Sequence, residues 1–234
     1  MPTVILVRHG RSDANNSGVL AGRTPGVKLN DTGRRQADAL AERLAGLRVA
    51  TLVTSPLERC RQTAAAIAKR HQGLKAVTDR RLTECGYGDW TGAKLSTLAK
   101  DPLWPIVQQH PSAVTFPNGE SMRAMQQRGV DAVRAHDAAV ATTHGPQAIW
   151  VAVTHGDVIK AIVADALALH LDEFQRIVVD TGSVTVISYT PGRPFLVRLN
   201  DTGTELASLL SAPDRPAARK RRKAAESDAV VGGR

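Results

Sequence analysis

Apolar residues along the chain fall into two rhythms. Short unbroken runs alternate with longer stretches in which apolar positions recur every three or four residues. Thr3–Val7 is the first run, and its lack of polar alternation predicts a strand covered on both faces. After a Gly-containing loop, Asn30-Asp31-Thr32-Gly33 opens a helical stretch carrying Ala37, Leu40, Ala41, Leu44 and Leu47, with Gly46 marking its end. Ala50–Thr54 reads as a second strand, and Ser55-Pro56 as the N-cap and first-turn proline of a helix carrying Thr63, Ala64, Ile67 and Ala68 before Gly73. A third short strand is expected near residue 78. From Thr91 to Asn118 the rhythm dissolves among Pro102, Pro105, Pro111 and Pro117, a stretch too long for an ordinary connection, which reads as a lid-like insertion over a site. Asn118-Gly119-Glu120-Ser121 then opens a helix to about His144, followed by a strand at Gln147–Thr154 and an apolar helix at Val158–Leu169. Ile177–Asp180 and Val184–Tyr189 read as strands, with Phe195–Leu199 closing the sheet as a hairpin. Strands alternating with helices predict an α/β fold, a three-layer α/β/α sandwich whose mostly parallel sheet ends in an antiparallel strand.

Composition narrows this picture. A chain of 234 residues with 42% hydrophobic and 23% charged residues can bury a self-sufficient core. Two cysteines, Cys60 and Cys85, make no disulfide framework, so a reducing, cytoplasmic setting is expected. The apolar run before Arg8 is too short for a signal peptide, and none approaches the roughly 20 residues that span a bilayer. The net charge of +9 is uneven: residues 215–234 hold seven basic side chains against two acids, more than half of the excess. The expected organisation is one domain over residues 1–205 and a disordered basic tail over 206–234. Arg219-Lys220-Arg221-Arg222-Lys223 could hold nucleic acid by charge, but no aromatic residues are interleaved for stacking, which favours a solubilising extension.

Three predicted strands are followed at once by unusual polar residues. The first ends in Arg8-His9-Gly10, the second in Thr54-Ser55-Pro56 with Arg59 one turn on, the third in Thr154-His155-Gly156. Ligands of parallel sheets sit at the carboxyl ends of strands, so two histidines and two arginines are expected to face one crevice. Guanidiniums clamp phosphate oxygens, and a neutral imidazole can attack phosphorus to give a phosphohistidine that water hydrolyses. Cationic neighbours would keep His9 neutral, while a carboxylic acid raised in pKa could protonate the leaving oxygen, for which Glu84, Asp13 and Asp157 are candidates. This chemistry calls for no metal and no cofactor, and the spacing of metal-ligand motifs is absent from the sequence. Glycine after each histidine would let the backbone approach an anion. Cys60 and Cys85 each adjoin one of these residues, so a redox-active pair beside the site stands against the plainer reading of reduced thiols packed beneath it.

Arg8-His9-Gly10 with Asn15 and Gly22 resembles the opening signature of the histidine phosphatase superfamily, phosphoglycerate-mutase-like branch. The resemblance runs on through Leu29–Gly33, Ser55-Pro56-Leu57-Glu58-Arg59, Leu82-Thr83-Glu84 with Gly86, Gly88, Asp89, Trp90 and Gly92, then Gly119-Glu120-Ser121 and Thr154-His155-Gly156, about residues 3–200 in all. It implies a phosphoglycerate-mutase-like fold, His9 as nucleophile and Glu84 as proton donor. It also implies a phosphate pocket of Arg8, Arg59 and His155 helped by Asn15, Gly22 and Gly156. Genuine mutases of this kind bring a paired arginine in the insertion, and residues 91–118 offer only Lys94 and Lys100. Arg11, Arg23 and Lys28 in the first loop, and Arg123 and Arg128 later, are the remaining cations for a second anionic group. The expectation is therefore a metal-independent phosphatase acting on a small phosphorylated metabolite. A phosphoglycerate mutase using the same phosphohistidine, and a non-catalytic protein binding a phospho-ligand or nucleic acid, are the competing readings. A homodimer stays open.

Overall fold

A computed structural model describes residues 2–203; the expected basic tail lies outside them. In chain order the elements are β1 (Thr3–Arg8), α1 (Asp13–Ser17), α2 (Asp31–Leu44), β2 (Val49–Thr54), α3 (Glu58–Lys69), β3 (Ala76–Thr78), α4 (Leu95–Leu98), α5 (Trp104–Gln109), α6 (Met122–His144), β4 (Ile149–Thr154), α7 (Gly156–Ala166), β5 (Val184–Tyr189) and β6 (Pro194–Asp201). The six strands form one sheet in the order β3-β2-β4-β1-β5-β6. The first four are mutually parallel, β5 runs antiparallel to β1, and β6 antiparallel to β5.

Alternate residues of the central strands feed two cores. Val4, Leu6, Val53, Trp150 and Ala152 pack under α6, α7 and the segment from Leu82 to Phe116. Ile5, Val7, Leu52, Val151 and Val153 pack under α2 and α3, against Leu40, Leu44, Ala64 and Ile67. Each face is thus covered by helices, which is why β1 and β4 carry almost no polar residue along their length. Asn30 and Ser121 cap α2 and α6, their side chains accepting from the amides of Gly33 and Ala124.

Two local expectations are corrected. Ile177–Asp180 is not a strand: its backbone serves side chains instead, with the Val179 carbonyl accepting from Arg8 Nη1 at 2.6 Å and the Asp180 amide donating to Asn200 Oδ1 at 2.6 Å. Ser55 does not cap α3, which begins at Glu58 behind Leu57, because the serine hydroxyl is committed elsewhere. Residues 91–118 are a packed wall holding α4 and α5. Trp90 and Trp104 stack with centroids 6.0 Å apart, Phe116 meets Trp90 edge-on at 5.3 Å, and Leu20 and Gly18 of the first loop are bonded to Gly92, Ala93 and Leu95. Its stability comes from aromatic packing, which has no period to read.

Candidate active site

Strand register assembles the site. Arg8 pairs with Thr154, and Thr54 with Val153, so the residues that follow these strands emerge side by side at one edge of the sheet. The rings of His9 and His155 lie with centroids 5.2 Å apart at 63°. Arg59, on the first turn of α3, reaches across both. Its Nε donates to His9 Nε2 at 3.2 Å, and its Nη2 lies 2.8 Å from the Gly22 carbonyl and 3.2 Å from His155 Nδ1. Arg59 Nη1 is buried and has no hydrogen-bond partner, leaving a donor aimed at nothing in the protein. Arg8, His9, Arg59, Glu84 and His155 are all buried.

The hydrogen bonds of His9 settle its tautomer. Nδ1 lies 2.7 Å from the Gly10 carbonyl, which can only accept, and Nε2 receives the Arg59 donor. Nδ1 therefore carries the hydrogen and Nε2 the lone pair. Burial, reinforced by the Arg59 and Arg8 guanidiniums, holds His9 well below the usual imidazole range. His155 is pushed the same way by burial, Arg59 and His9, and its Nε2 meets the Ser55 hydroxyl at 2.8 Å. Glu84 shifts oppositely: burial, then the nearby Asp157 carboxylate, raises it to about 7. Its Oε1 accepts from the Cys85 amide at 2.9 Å and its Oε2 stands 3.9 Å from His155 Nδ1.

His9, Arg59 and Glu84 border a cavity of about 40 Å³ lined also by Ser12, Asn15, Gly22, Tyr87 and Leu95. One water needs about 10–15 Å³ of such space, so the room suits a tetrahedral anion. The Asn15 carboxamide oxygen accepts from the Ser12 amide and hydroxyl, turning its NH₂ into the available group. Gly22 sits at φ +50°, where a side chain would also press on Tyr87 and Thr91. The two glycines after the histidines are needed for other neighbours than an anion. A Cβ on Gly10 would collide with the Gly33 carbonyl of α2, and one on Gly156 would meet Arg8 Nε at 3.3 Å.

Of the eight expected site residues, His9, Asn15, Gly22, Arg59 and Glu84 line the cavity and His155 meets Arg59 and Ser55. Arg8, by contrast, is buried with Nη1 on the Val179 carbonyl and its guanidinium beside Gly156, which opens α7. Of the other cations considered, Lys28 pairs with Glu58, Arg123 donates to the Ser112 carbonyl and Arg11 is exposed, whereas Arg23 and Arg128 both donate to the Glu84 carbonyl. The cysteines do not form a pair: both are free and buried, Cys60 in the core under α2 and α3 and Cys85 in the one on the opposite face. Burial raises the Cys60 thiol to about 12. Sequence reasoning missed Tyr87, whose hydroxyl donates to Asp157 Oδ2 at 2.7 Å beneath the site, and Lys160, buried 3.8 Å from Asp157. Among the described residues, no group of three or more His, Cys, Asp or Glu side chains converges as a metal site, and no helix is long and apolar enough to cross a membrane.

The geometry has counterparts. Residues 4–202 match the model of the histidine phosphatase superfamily (branch 1). A 2,3-bisphosphoglycerate-dependent phosphoglycerate mutase of Thermoplasma acidophilum is 30% identical over 195 residues, 82% of this chain and 90% of the relative. Phosphoserine phosphatase 1 of Hydrogenobacter thermophilus is 29% identical over 207 residues, 86% and 93% of the two chains. Among solved structures, YhfR of Bacillus stearothermophilus superposes with a TM-score of 0.78 at 27% identity, covering 86% of this chain and 98% of its own. A mycobacterial glucosyl-3-phosphoglycerate phosphatase solved with VO3 gives 0.76 at 27%, covering 85% and 98%.

Proposed function

Because this chain belongs to the histidine phosphatase superfamily, branch 1, we propose that it hydrolyses a small phosphomonoester through a phosphohistidine at His9. The observation that carries this reading is the tautomer of His9, with its lone pair on Nε2 facing the cavity while Nδ1 is tied to the Gly10 carbonyl. In the first step Nε2 attacks phosphorus and the bond from phosphorus to the ester oxygen breaks. Glu84, raised to about 7 and so still partly protonated near neutrality, gives its proton to that oxygen, so a neutral alcohol leaves. Arg59 turns its donors from His9 to the phosphoryl oxygens, Nη1 being unengaged already, while Arg8, His155 and the Asn15 amide oppose the charge spread over the other oxygens. In the second step a water attacks phosphorus, the Glu84 carboxylate takes its proton, and the phosphorus–nitrogen bond breaks to release phosphate and restore the lone pair. None of these steps calls on a metal.

The relatives include both phosphatases and a mutase, and the same first step serves either. The weak cation content of residues 91–118 favours water as the acceptor. Incubation with a ³²P-labelled phosphomonoester, quenched in alkali, tests the reading: label on the protein that is stable to base and lost in acid, and absent from His9→Ala, is expected. His9→Ala retaining full phosphate release overturns it. Isomerised phosphoglycerate without free phosphate would assign the mutase reaction instead.

A further inference from the structure

A cavity of about 40 Å³ takes the phosphoryl group and little else, so the rest of the substrate has to lie outside it. An open cleft of about 520 Å³ adjoins it, lined by Arg23, Arg80, Arg81 and Arg128 together with Glu120. Two walls of this cleft are one residue removed from the phosphate pocket: Arg23 follows Gly22, and Thr83 precedes Glu84. Glu84 itself is the partition: its carboxyl borders the cavity, while its backbone carbonyl accepts from Arg23 Nε at 2.8 Å and Arg128 Nη2 at 3.1 Å.

The charge of the cleft is unbalanced. Arg128 binds Glu120 through Nε and Nη2 at 2.7 and 2.9 Å and spends Nη1 on the Arg81 and Thr83 carbonyls. Arg81 is neutralised by Asp79 at 2.7 Å and lies in the field of Asp131. Arg23 has only a share of Glu120, at 2.7 Å, and its side chain is 45% exposed. Arg80 is exposed, and its side chain makes no hydrogen bond or ion pair with any described residue. Guanidiniums gathered without counter-charges repel one another, and a bound anion relieves that repulsion while accepting their forked donors.

We propose that this cleft is a subsite for a second anionic group, a phosphate or carboxylate carried on the leaving group, held by Arg80 and Arg23. The inference rests on the phosphatase reading and specifies its substrate class: a small phosphomonoester with a second negative group several bonds from the scissile phosphate. It is tested with glucose 1,6-bisphosphate against glucose 6-phosphate, the same sugar lacking the second phosphate. The wild-type chain is expected to favour the bisphosphate by about tenfold or more in kcat/KM, the effect of one charge-assisted contact. Arg80→Ala should erase most of that ratio and Arg80→Glu invert it, chiefly through KM. Since the exposed Arg80 side chain makes no hydrogen bond or ion pair with any described residue, both variants should unfold with the wild-type midpoint. An unchanged ratio in both variants overturns the subsite. If the wild-type chain releases no phosphate from either sugar and the labelling of His9 also fails, the phosphatase reading falls by itself. The subsite is then decided by calorimetry on His9→Ala, where a bisphosphate preference lost on adding Arg80→Glu upholds it and equal binding of the two sugars ends it.

Discussion

Around His9 the protein closes on itself, and around Arg80 it does not. In the cavity the reactive side chains are buried and, apart from the spare Nη1 of Arg59, their hydrogen-bonding groups are met mainly by neighbours whose positions follow from strand register. In the cleft Arg80 and Arg81 sit on an exposed turn and Arg23 on a loop, with Arg128 on α6, and Arg80 and Arg23 are incompletely paired. Two different tasks explain the contrast. A transition state needs donors fixed before it arrives, and a buried, mutually bonded set provides that. Discrimination among leaving groups needs charge that can be rearranged without disturbing the fold, which exposed arginines on loops provide. Changes in the cavity should therefore abolish chemistry, and changes in the cleft should only redistribute it.

The largest effect distinguishing the two regions is expected at Glu84. Glu84→Gln keeps the shape and can still accept from the Cys85 amide, but has no proton to give. For alkyl phosphates kcat should fall roughly 10²–10⁴-fold with KM little changed, the usual range for losing a general acid. An aryl phosphate such as p-nitrophenyl phosphate, whose leaving group needs no proton, should lose far less. Equal losses on alkyl and aryl esters would remove Glu84 as the acid.

A smaller effect is expected at Arg128, which belongs to both regions. Its guanidinium ties together the carbonyls of Arg81, Thr83 and Glu84 and both oxygens of Glu120, and so holds the segment that presents the Glu84 carboxyl. Arg128→Ala should lower kcat about tenfold through a displaced acid and cost about 2–4 kcal/mol, because a largely buried carboxylate loses its main partner. Arg128→Lys, which can meet only part of that set, should fall between. If Arg128→Ala shifts KM for the bisphosphate alone, the residue serves the cleft and not Glu84.

The same contrast decides what was legible beforehand. Arg8, His9, Arg59, Glu84 and His155 could be located because they follow apolar runs or stand in short ordered motifs, and backbone register then forces them together. Glu84 needed the family resemblance, since nothing in its spacing separates it from Asp13 or Asp157. Tyr87 was invisible as a site residue because its partner Asp157 is distant in sequence, and Lys160 because a lysine in an apolar helix gives no sign of burial against Asp157; Arg128 was legible as a cation but not as the tie on the Arg81–Glu84 carbonyls. Ile177–Asp180 deceived by composition. Its β-branched residues suit a strand, yet Arg8 and Asn200 compete successfully for its backbone groups. The wall at 91–118 hid its helices because stacked tryptophans and prolines leave no helical period.

The smallest effect separates the regions by pH. His9 and His155 are neutral in the folded cavity with pKa values held well below the ordinary 6.5. Below pH 6.5 the unfolded chain therefore takes up protons that the folded one refuses, and stability falls with acidity by up to about 2.7 kcal/mol per pH unit for two such groups. Glu84 works the other way: its folded pKa of about 7 lies above the ordinary 4.5, so between those values the folded chain keeps a proton the unfolded one has lost. Its contribution declines as pH rises through that window and partly offsets the histidines from pH 4.5 to 6.5, leaving a stability maximum near neutrality. Urea unfolding between pH 5 and 8 should show this profile. Glu84→Gln should steepen the acid limb and raise the urea midpoint at pH 8. Arg80→Ala should leave the profile unaltered, since the Arg80 side chain is exposed; a profile that moves with Arg80 but not with Glu84 would mean that the two regions are not built by different rules.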